Sequence, residues 1–297
     1  MKLKLKKRIE LSKILEEIEV DNDSDQITKK LDSYHQTPKA HVIGVTGPPG
    51  VGKSSMINNL IKFIRGKKKS VGVIAIDPSS NESGGALLGD RTRFSVAPND
   101  DDVFVRSMAT KNYLGGVSEL TYPTMIVMRS LFDYLIVETV GVGQSETNIK
   151  YIVDTVILCV QPGSGDTVQF MKSGVFEIPD ILVITKCDID KLPELTYSEL
   201  SASKQYFSKN DSWNINLHMI SSHKNIGFKE LWTNINKRWE WLQRSKSINE
   251  IRINQDMQWI KNNILNDYGK KGFEKLKKKF VFNKKPFSTL KTLKKKI

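Results

Sequence analysis

From residue 40 onward the chain alternates between two spacings. Short apolar runs rich in β-branched residues, HVIGVTG (41–47), SVGVIAID (70–77), DVFVRS (102–107), YLIVET (134–139), TVILCV (155–160), DILVITK (180–186) and LHMIS (217–221), recur between longer segments of helical periodicity. The runs are nearly continuous in apolar character, as expected of parallel strands covered on both faces. The intervening periodicity predicts helices over 53–66, 118–131, around 145–153, 166–176, 198–208 and 227–244, with connections short enough for βαβ crossovers. Residues 1–35 read as one or two amphipathic helices. Residues 248–297 read as a further helical piece whose apolar stripe, including Trp259, Ile260, Ile264, Phe273 and Leu276, is a packing surface. The expected fold class is therefore α/β, a mainly parallel sheet with helices on both faces. Its divisions are an N-terminal helical segment (1–38), a central domain (39–245) and a C-terminal helical arm with a basic tail (246–297).

Composition changes this picture little. The chain of 297 residues is 39% hydrophobic and 27% charged, and no apolar run reaches the ~18 residues that a bilayer crossing requires. Membrane insertion is not expected. Both cysteines, Cys159 and Cys187, fall in strand-like runs, which fits packed thiols in a reducing compartment. The basic start is followed at once by glutamates and resembles neither a signal nor a transit peptide, so a cytoplasmic address is expected. The net charge of +13 is concentrated at the ends: residues 267–297 carry +10 and residues 1–10 carry +4, which leaves the remainder near neutral. Such ends read as a solvated helix face or frayed tail, and nucleic-acid binding is not the expected role.

The candidate chemistry begins with GVTGPPGVGKSSMI. Gly47, Pro48, Pro49, Gly50, Val51, Gly52, Lys53 and Ser54, followed by Ser55, match G-x-x-x-x-G-K-[ST] between a strand and a helix, the context that a phosphate-cradling P-loop requires. Glycines let successive N–H groups face one anion, and the helix start adds its positive dipole end. Lys53 would meet β and γ oxygens and Ser54 would bind Mg²⁺. The metal also needs hard oxygen ligands. Three acids are candidates: Asp77 at the end of VGVIAID, Asp90 in SGGALLGDRTRF and Glu138 at the end of LIVET. Gly141 follows Glu138 where an N–H can sense the γ-phosphate. Gln144, three residues further on, is a candidate for orienting the attacking water.

The base reader is expected in TKCD. Asp188 can accept from the two donors on the guanine edge that adenine lacks. Lys186 would lie along the ring, and Thr185 stands where the N-K-x-D element has asparagine. Ser221 and Ser222, at a later strand end, are placed to offer a backbone N–H to the guanine O6.

Taken together, GPPGVGKSS, AIDPSSNESGGALLGDRTRF, ETVGVGQSE and PGSGDTVQFMKSGVFEIPDILVITKCD resemble the MeaB/ArgK-type P-loop GTPases, chaperones of adenosylcobalamin-dependent methylmalonyl-CoA mutase. The likeness extends over nearly the whole chain. It implies GTP/GDP and Mg²⁺ as cofactors, an adenosylcobalamin-dependent acyl-CoA mutase as partner, and a homodimer formed through the C-terminal arm. It also implies a switch in GDTVQFMKSG, carried over onto Asp166, Gln169 and Lys172. The implied catalytic set is Lys53, Asp90, Glu138, Gln144 and Lys172. Two positions depart from the family pattern: Phe170 is bulky where a small residue is usual, and Thr185 replaces asparagine. The alternatives are a transport-linked ATPase or kinase and a nickel metallochaperone GTPase. The absence of paired cysteines and His-rich tracts disfavours the latter.

Overall fold

The computed structural model describes residues 5–21, 23–77, 94, 100–109, 120–139, 148–163, 178–189, 191–203, 213–277 and 284–296. The apolar runs form seven parallel strands: β1 (His41–Thr46), β2 (Val71–Asp77), β3 (Val103–Ala109), β4 (Tyr134–Glu138), β5 (Thr155–Val160), β6 (Ile181–Ile184) and β7 (Asn216–Met219). They lie side by side in the order β3-β2-β4-β1-β5-β6-β7. Every residue of β1 and β5 is buried. Continuous hydrophobicity follows from this position, since a central strand meets packing on both faces.

Around the sheet run α1 (Leu5–Val20), α2 (Asp25–His35), α3 (Lys53–Gly66), α4 (Thr121–Leu131), α5 (Leu192–Ala202) and α6 (Phe228–Arg244), followed by α7 (Ser247–Lys277) and α8 (Pro286–Lys294). Helices α3 and α6 cover one face through Met56, Ile57, Leu60, Leu231 and Ile235. Helices α1, α2 and α4 cover the other, with Leu11, Leu15, Ile18, Leu31 and Met125 in a core shared with Leu135 and Val137. The helix expected over 198–208 begins instead at Leu192, because Pro193 in the first turn and Glu194 beside it form a helix start. Of the helix expected around 145–153, the described residues begin at Asn148, which is helical, and run on into a 3₁₀ turn, Ile149–Tyr151; the residues before Asn148 lie outside the described set. The helix expected over 166–176 lies outside the described residues.

The basic C-terminus is not frayed where it is described. One side of α8 buries Phe287, Leu290 and Leu293. The carboxylate of Asp32, on α2, accepts from the amides of Phe287 at 3.2 Å and Ser288 at 3.1 Å, and so caps the N-terminus of α8. Lys294 pairs with Asp267 at 2.9 Å. Helix α7 reverses at Gly269, whose φ of 64° is left-handed. Ile260 and Ile264 before this turn thereby join Leu276 beyond it and Leu290 and Leu293 of α8 in one apolar cluster.

A buried polar layer closes the amino end of the sheet. Asp154 accepts from the amide of Val42 at 2.9 Å and from Arg252 Nε and Nη2 at 3.0 and 2.8 Å, joining α7 to the start of β5. Arg238 of α6 pairs with buried Asp180 at 2.9 Å. Beside them His41 stacks on Trp239 with ring centroids 4.6 Å apart, and its Nε2 lies 2.7 Å from Thr155 Oγ1.

Burial lowers the pKa of His41 from 6.5 to about 4, more than the opposing field of Asp154 raises it. Between those values the unfolded chain binds a proton that the folded chain does not, so stability falls as pH drops from 6.5 toward 4. The expected contribution is about 3 kcal/mol across that window. Urea midpoints measured every half pH unit should show the slope, and His41→Gln should flatten it in that window.

Candidate functional site

Because all seven strands are parallel, their carboxyl ends share one edge, the edge at which α/β sheets bind ligands. The loop between β1 and α3 lies there. Gly47 has φ +139°, and a Cβ on it would fall 2.3 Å from the carbonyl oxygen of Cys159 on β5, so only glycine lets the chain turn this tightly against its neighbour. Gly52, at φ +101°, is the N-cap of α3. With a glycine in that place no side chain competes for the first-turn amides, which leaves the helix start suited to an anion.

Lys53 opens α3 and is buried. Its ammonium donates to the carbonyls of Gly47 at 2.7 Å and Pro48 at 2.9 Å, which places a full positive charge inside the loop. The next residue, Ser54, donates its hydroxyl to Glu138 Oε1 at 2.8 Å. Glu138 is the buried last residue of β4. Its position follows from register: β4 pairs with β1 on one side and β2 on the other, with Glu138 opposite Val45 and Ala75. Asp77, the end of β2, lies two residues past that row at the same edge. Thr139 and Thr46 join their hydroxyls at 2.9 Å and bind the two strand ends together. Pro48 is half-buried, Pro49, Gly50 and Ser55 are exposed, and Val51 is buried.

The second half of the site comes from the β6 and β7 ends. Thr185 is buried and its hydroxyl donates to the Val51 carbonyl at 2.7 Å. The threonine in place of asparagine therefore ties the β6 end to the loop with a shorter side chain. Lys186, at φ +53°, reaches across to the Gly50 carbonyl at 2.9 Å and to Gln161 Oε1 at 2.8 Å. Both residues after β6 thus grip the loop after β1, and the two halves form one unit.

Asp188 is exposed at the rim. A hydrogen bond from the Ser221 hydroxyl holds its carboxyl below the usual range, aided by Lys224 and His223. The Ser221 amide donates to Ile226 O at 3.1 Å, so this N–H is committed within its own turn. The carbonyl of Ser222 accepts from Asn59 of α3 at 2.9 Å. Burial pushes the Cys159 thiol up to about 12, above the opposing pull of Lys53, and burial also raises the Cys187 thiol. Both cysteines are unpaired.

The described structure thus brings together Gly47, Pro48, Pro49, Gly50, Val51, Gly52, Lys53, Ser54, Glu138, Thr185, Lys186, Asp188 and Ser221 on one edge. Asp90, Gly141, Gln144, Asp166, Gln169 and Lys172 lie outside the described residues, as does the side chain of Asp77. Gln161 and Asn59 were not singled out from the sequence. The signal for Gln161 was its place one residue after an apolar strand that ends at this edge; Asn59 gave none, because its partner is 163 residues away. A loop of positive-φ glycines around a buried ammonium suits a polyphosphate, and a hydroxyl beside a carboxylate is a hard-oxygen pair suited to Mg²⁺.

Comparison with known proteins places this arrangement in context. The family profile described as Methylmalonyl Co-A mutase-associated GTPase MeaB matches residues 12–277. A putative GTPase of Pyrococcus abyssi is 41% identical over 256 residues, which cover 83% of this chain and 78% of that protein. The mitochondrial methylmalonic aciduria type A homolog of Mus musculus is 33% identical over 231 residues, covering 76% of this chain and 56% of that protein. Among solved structures, a crystal structure described as an LAO/AO transport system kinase superposes with a TM-score of 0.68 at 22% identity, covering 97% of this chain and 93% of that one. At that identity the likeness is one of fold.

Proposed function

The chain belongs to the family of methylmalonyl-CoA mutase-associated GTPases, and on that premise we propose that it is a Mg²⁺-dependent GTPase of the cytoplasm. We propose further that it gates cofactor loading of an adenosylcobalamin-dependent acyl-CoA mutase and protects that enzyme. The observation that carries this reading is the pair of ties across the sheet edge: Ser54 to Glu138 at 2.8 Å and Lys186 to Gly50 at 2.9 Å. They set a metal-binding hydroxyl, an acid, a phosphate loop and a base-reading loop in one frame.

In this reading the amides at the start of α3 and the Lys53 ammonium hold the β- and γ-phosphates. Exchanging the two carbonyls that Lys53 now contacts for phosphate oxygens keeps its charge satisfied throughout. Ser54 and Glu138, with Asp77 and Asp90, would hold Mg²⁺, which when bound supplies positive charge to the phosphate oxygens. Lys186 lies along the base, and Asp188, whose ionised form Ser221 favours, accepts from the guanine N1–H and N2–H₂. Gln144 is the proposed water-orienting residue. Gly141, Asp166, Gln169 and Lys172 are the proposed elements that respond to the loss of the γ-phosphate. A homodimer built through the arm is part of the same proposal. It is supported by Ile253 and Met257, one turn apart on α7 and exposed at 37% and 42%.

Intrinsic turnover is expected to be slow, on the order of 10⁻⁴ to 10⁻² per second, because no arginine is fixed at the phosphate site among the described residues. Steady-state phosphate release, measured with and without an adenosylcobalamin-dependent mutase, should rise at least tenfold with the partner. Equal rates would remove the partner from the proposal while leaving GTP hydrolysis in place.

A further inference from the structure

Behind the base-reading loop, on the side of α3 away from the phosphate loop, lies an open groove of about 560 Å³. One wall is the last two turns of α3, with Asn59, Lys62, Phe63 and Lys67. The other is the turn after β7, with His223 and Asn225. Lys68, Lys69 and Lys224 extend the positive charge along its surroundings and are exposed. Among the described residues no carboxylate lines the groove.

The pairing of charges on this surface is uneven. Arg65, in the same turn of α3, is held by Asp100 and Asp102, each at 2.9 Å. Among the described residues no acid pairs with Lys62, Lys67, Lys68, Lys69 or Lys224. A concave surface whose lining cations have no carboxylate partner among the described residues is complementary to an anion.

We propose that this groove is a docking site for an acidic polypeptide segment of a partner protein. Three features select that occupant. The cations are spread over several positions, Lys62 and Lys67 in the lining with the exposed Lys68, Lys69 and Lys224 close to lining residues in the sequence, which suits a row of carboxylates better than one small anion. The groove lies at the carboxyl end of α3, and the exposed Lys67, Lys68 and Lys69 beyond Gly66 outweigh the partial negative charge of that helix end, which keeps its mouth attractive to carboxylates. Phe63, half-buried against Trp232 with ring centroids 5.8 Å apart, carries the Lys67 ammonium over its ring at 6.0 Å, so the ring is already engaged and is not open to stack on a base. A single ring of this kind provides no succession of stacking platforms such as single-stranded nucleic acid uses.

The groove also shares its second wall with the base-reading site. The amide of Lys224 donates to Ser221 Oγ at 3.0 Å, and the same hydroxyl lowers the pKa of Asp188. Asn59 fixes the same turn through the Ser222 carbonyl. A docked segment would therefore lie one side chain away from the proposed guanine reader. The docking itself does not depend on the identity of the nucleotide.

The test is fluorescence anisotropy of a labelled twelve-residue oligoglutamate titrated with the full chain at low salt, with a labelled uridine dodecamer in parallel. The double variant Lys62→Glu with Lys67→Glu should weaken oligoglutamate binding at least tenfold. Lys270→Glu with Lys271→Glu, the same charge change on exposed α7, should leave it within twofold. Unchanged thermal melting confirms that both variants fold. Equal losses in the two variants would show attraction by net charge alone and overturn the proposal. So would absent binding, or groove-dependent binding of the uridine oligomer without that of oligoglutamate.

Discussion

Replacing Lys53 with alanine should reduce GTP turnover by ~10³-fold or more, the scale on which removal of a preorganised charge at a reacting centre is felt. The reason lies in where the ammonium is held. Lys53 is buried and donates to Gly47 O and Pro48 O at 2.7 and 2.9 Å, so its charge is fixed inside the loop before any phosphate arrives. A charge fixed in advance costs little reorganisation during the reaction. Lys53→Arg should also fail, since a planar fork cannot occupy the position of a compact ammonium between two carbonyls. Single-turnover hydrolysis with saturating nucleotide separates lost chemistry from lost binding. Turnover within tenfold of the parent chain would remove Lys53 from the proposed catalytic set.

The removed ammonium also takes a donor from Gly47 O and leaves Pro48 O with the long bond from the Val51 amide at 3.4 Å, so some loss of loop order should accompany the loss of rate. The rest of the sheet should be indifferent. Its edge at this point is held separately by the Thr139–Thr46 hydroxyl bond and by the amide of Thr139 on Val45 O at 3.1 Å. Circular dichroism and melting of Lys53→Ala should therefore stay close to those of the parent, which makes rate the informative readout.

The strands were legible because a buried parallel strand has to be apolar on both faces, and runs such as VILCV in β5 admit no other placement. The phosphate loop was legible for a local reason: its glycines, lysine and serine act within eight residues of one another. Contacts made at a distance were not legible. Thr185 read only as a replacement for asparagine, yet its hydroxyl meets Val51 O, 134 residues earlier, because β6 ends beside the loop after β1. Asp32 gave no sign that it caps a helix 255 residues further on. The layer of His41, Asp154, Arg252 and Trp239 exists only because α6 and α7 pass beneath the amino end of the sheet, and periodicity within each segment carries no record of that crossing. The position of α5 was misread by six residues because amphipathic spacing was weighed above the helix-start signal of Pro193.

Asp188→Asn should exchange guanine for xanthine as the preferred base. The carboxylate offers two acceptors, which match the N1–H and N2–H₂ of guanine. An asparagine offers one acceptor and one donor, so its amide N–H₂ would face the guanine amino group. Xanthine has a carbonyl at that position and accepts from the amide. Because a site built to hydrogen-bond a ligand rejects one that leaves its polar groups unpaired, GDP affinity should fall by ~10³-fold while XDP affinity rises above it. Ser221→Ala should move affinity in the same direction by less, since it removes a group that favours the ionised Asp188 without changing what Asp188 accepts. Equilibrium competition of a fluorescent guanine nucleotide by GDP, XDP and ADP, run on the parent chain and both variants, reads all three bases at once. An unchanged order of the three in Asp188→Asn would exclude Asp188 as the base reader. A gain for ADP in the variant would point to recognition by Lys186 stacking and loop shape, with the edge of the base unread.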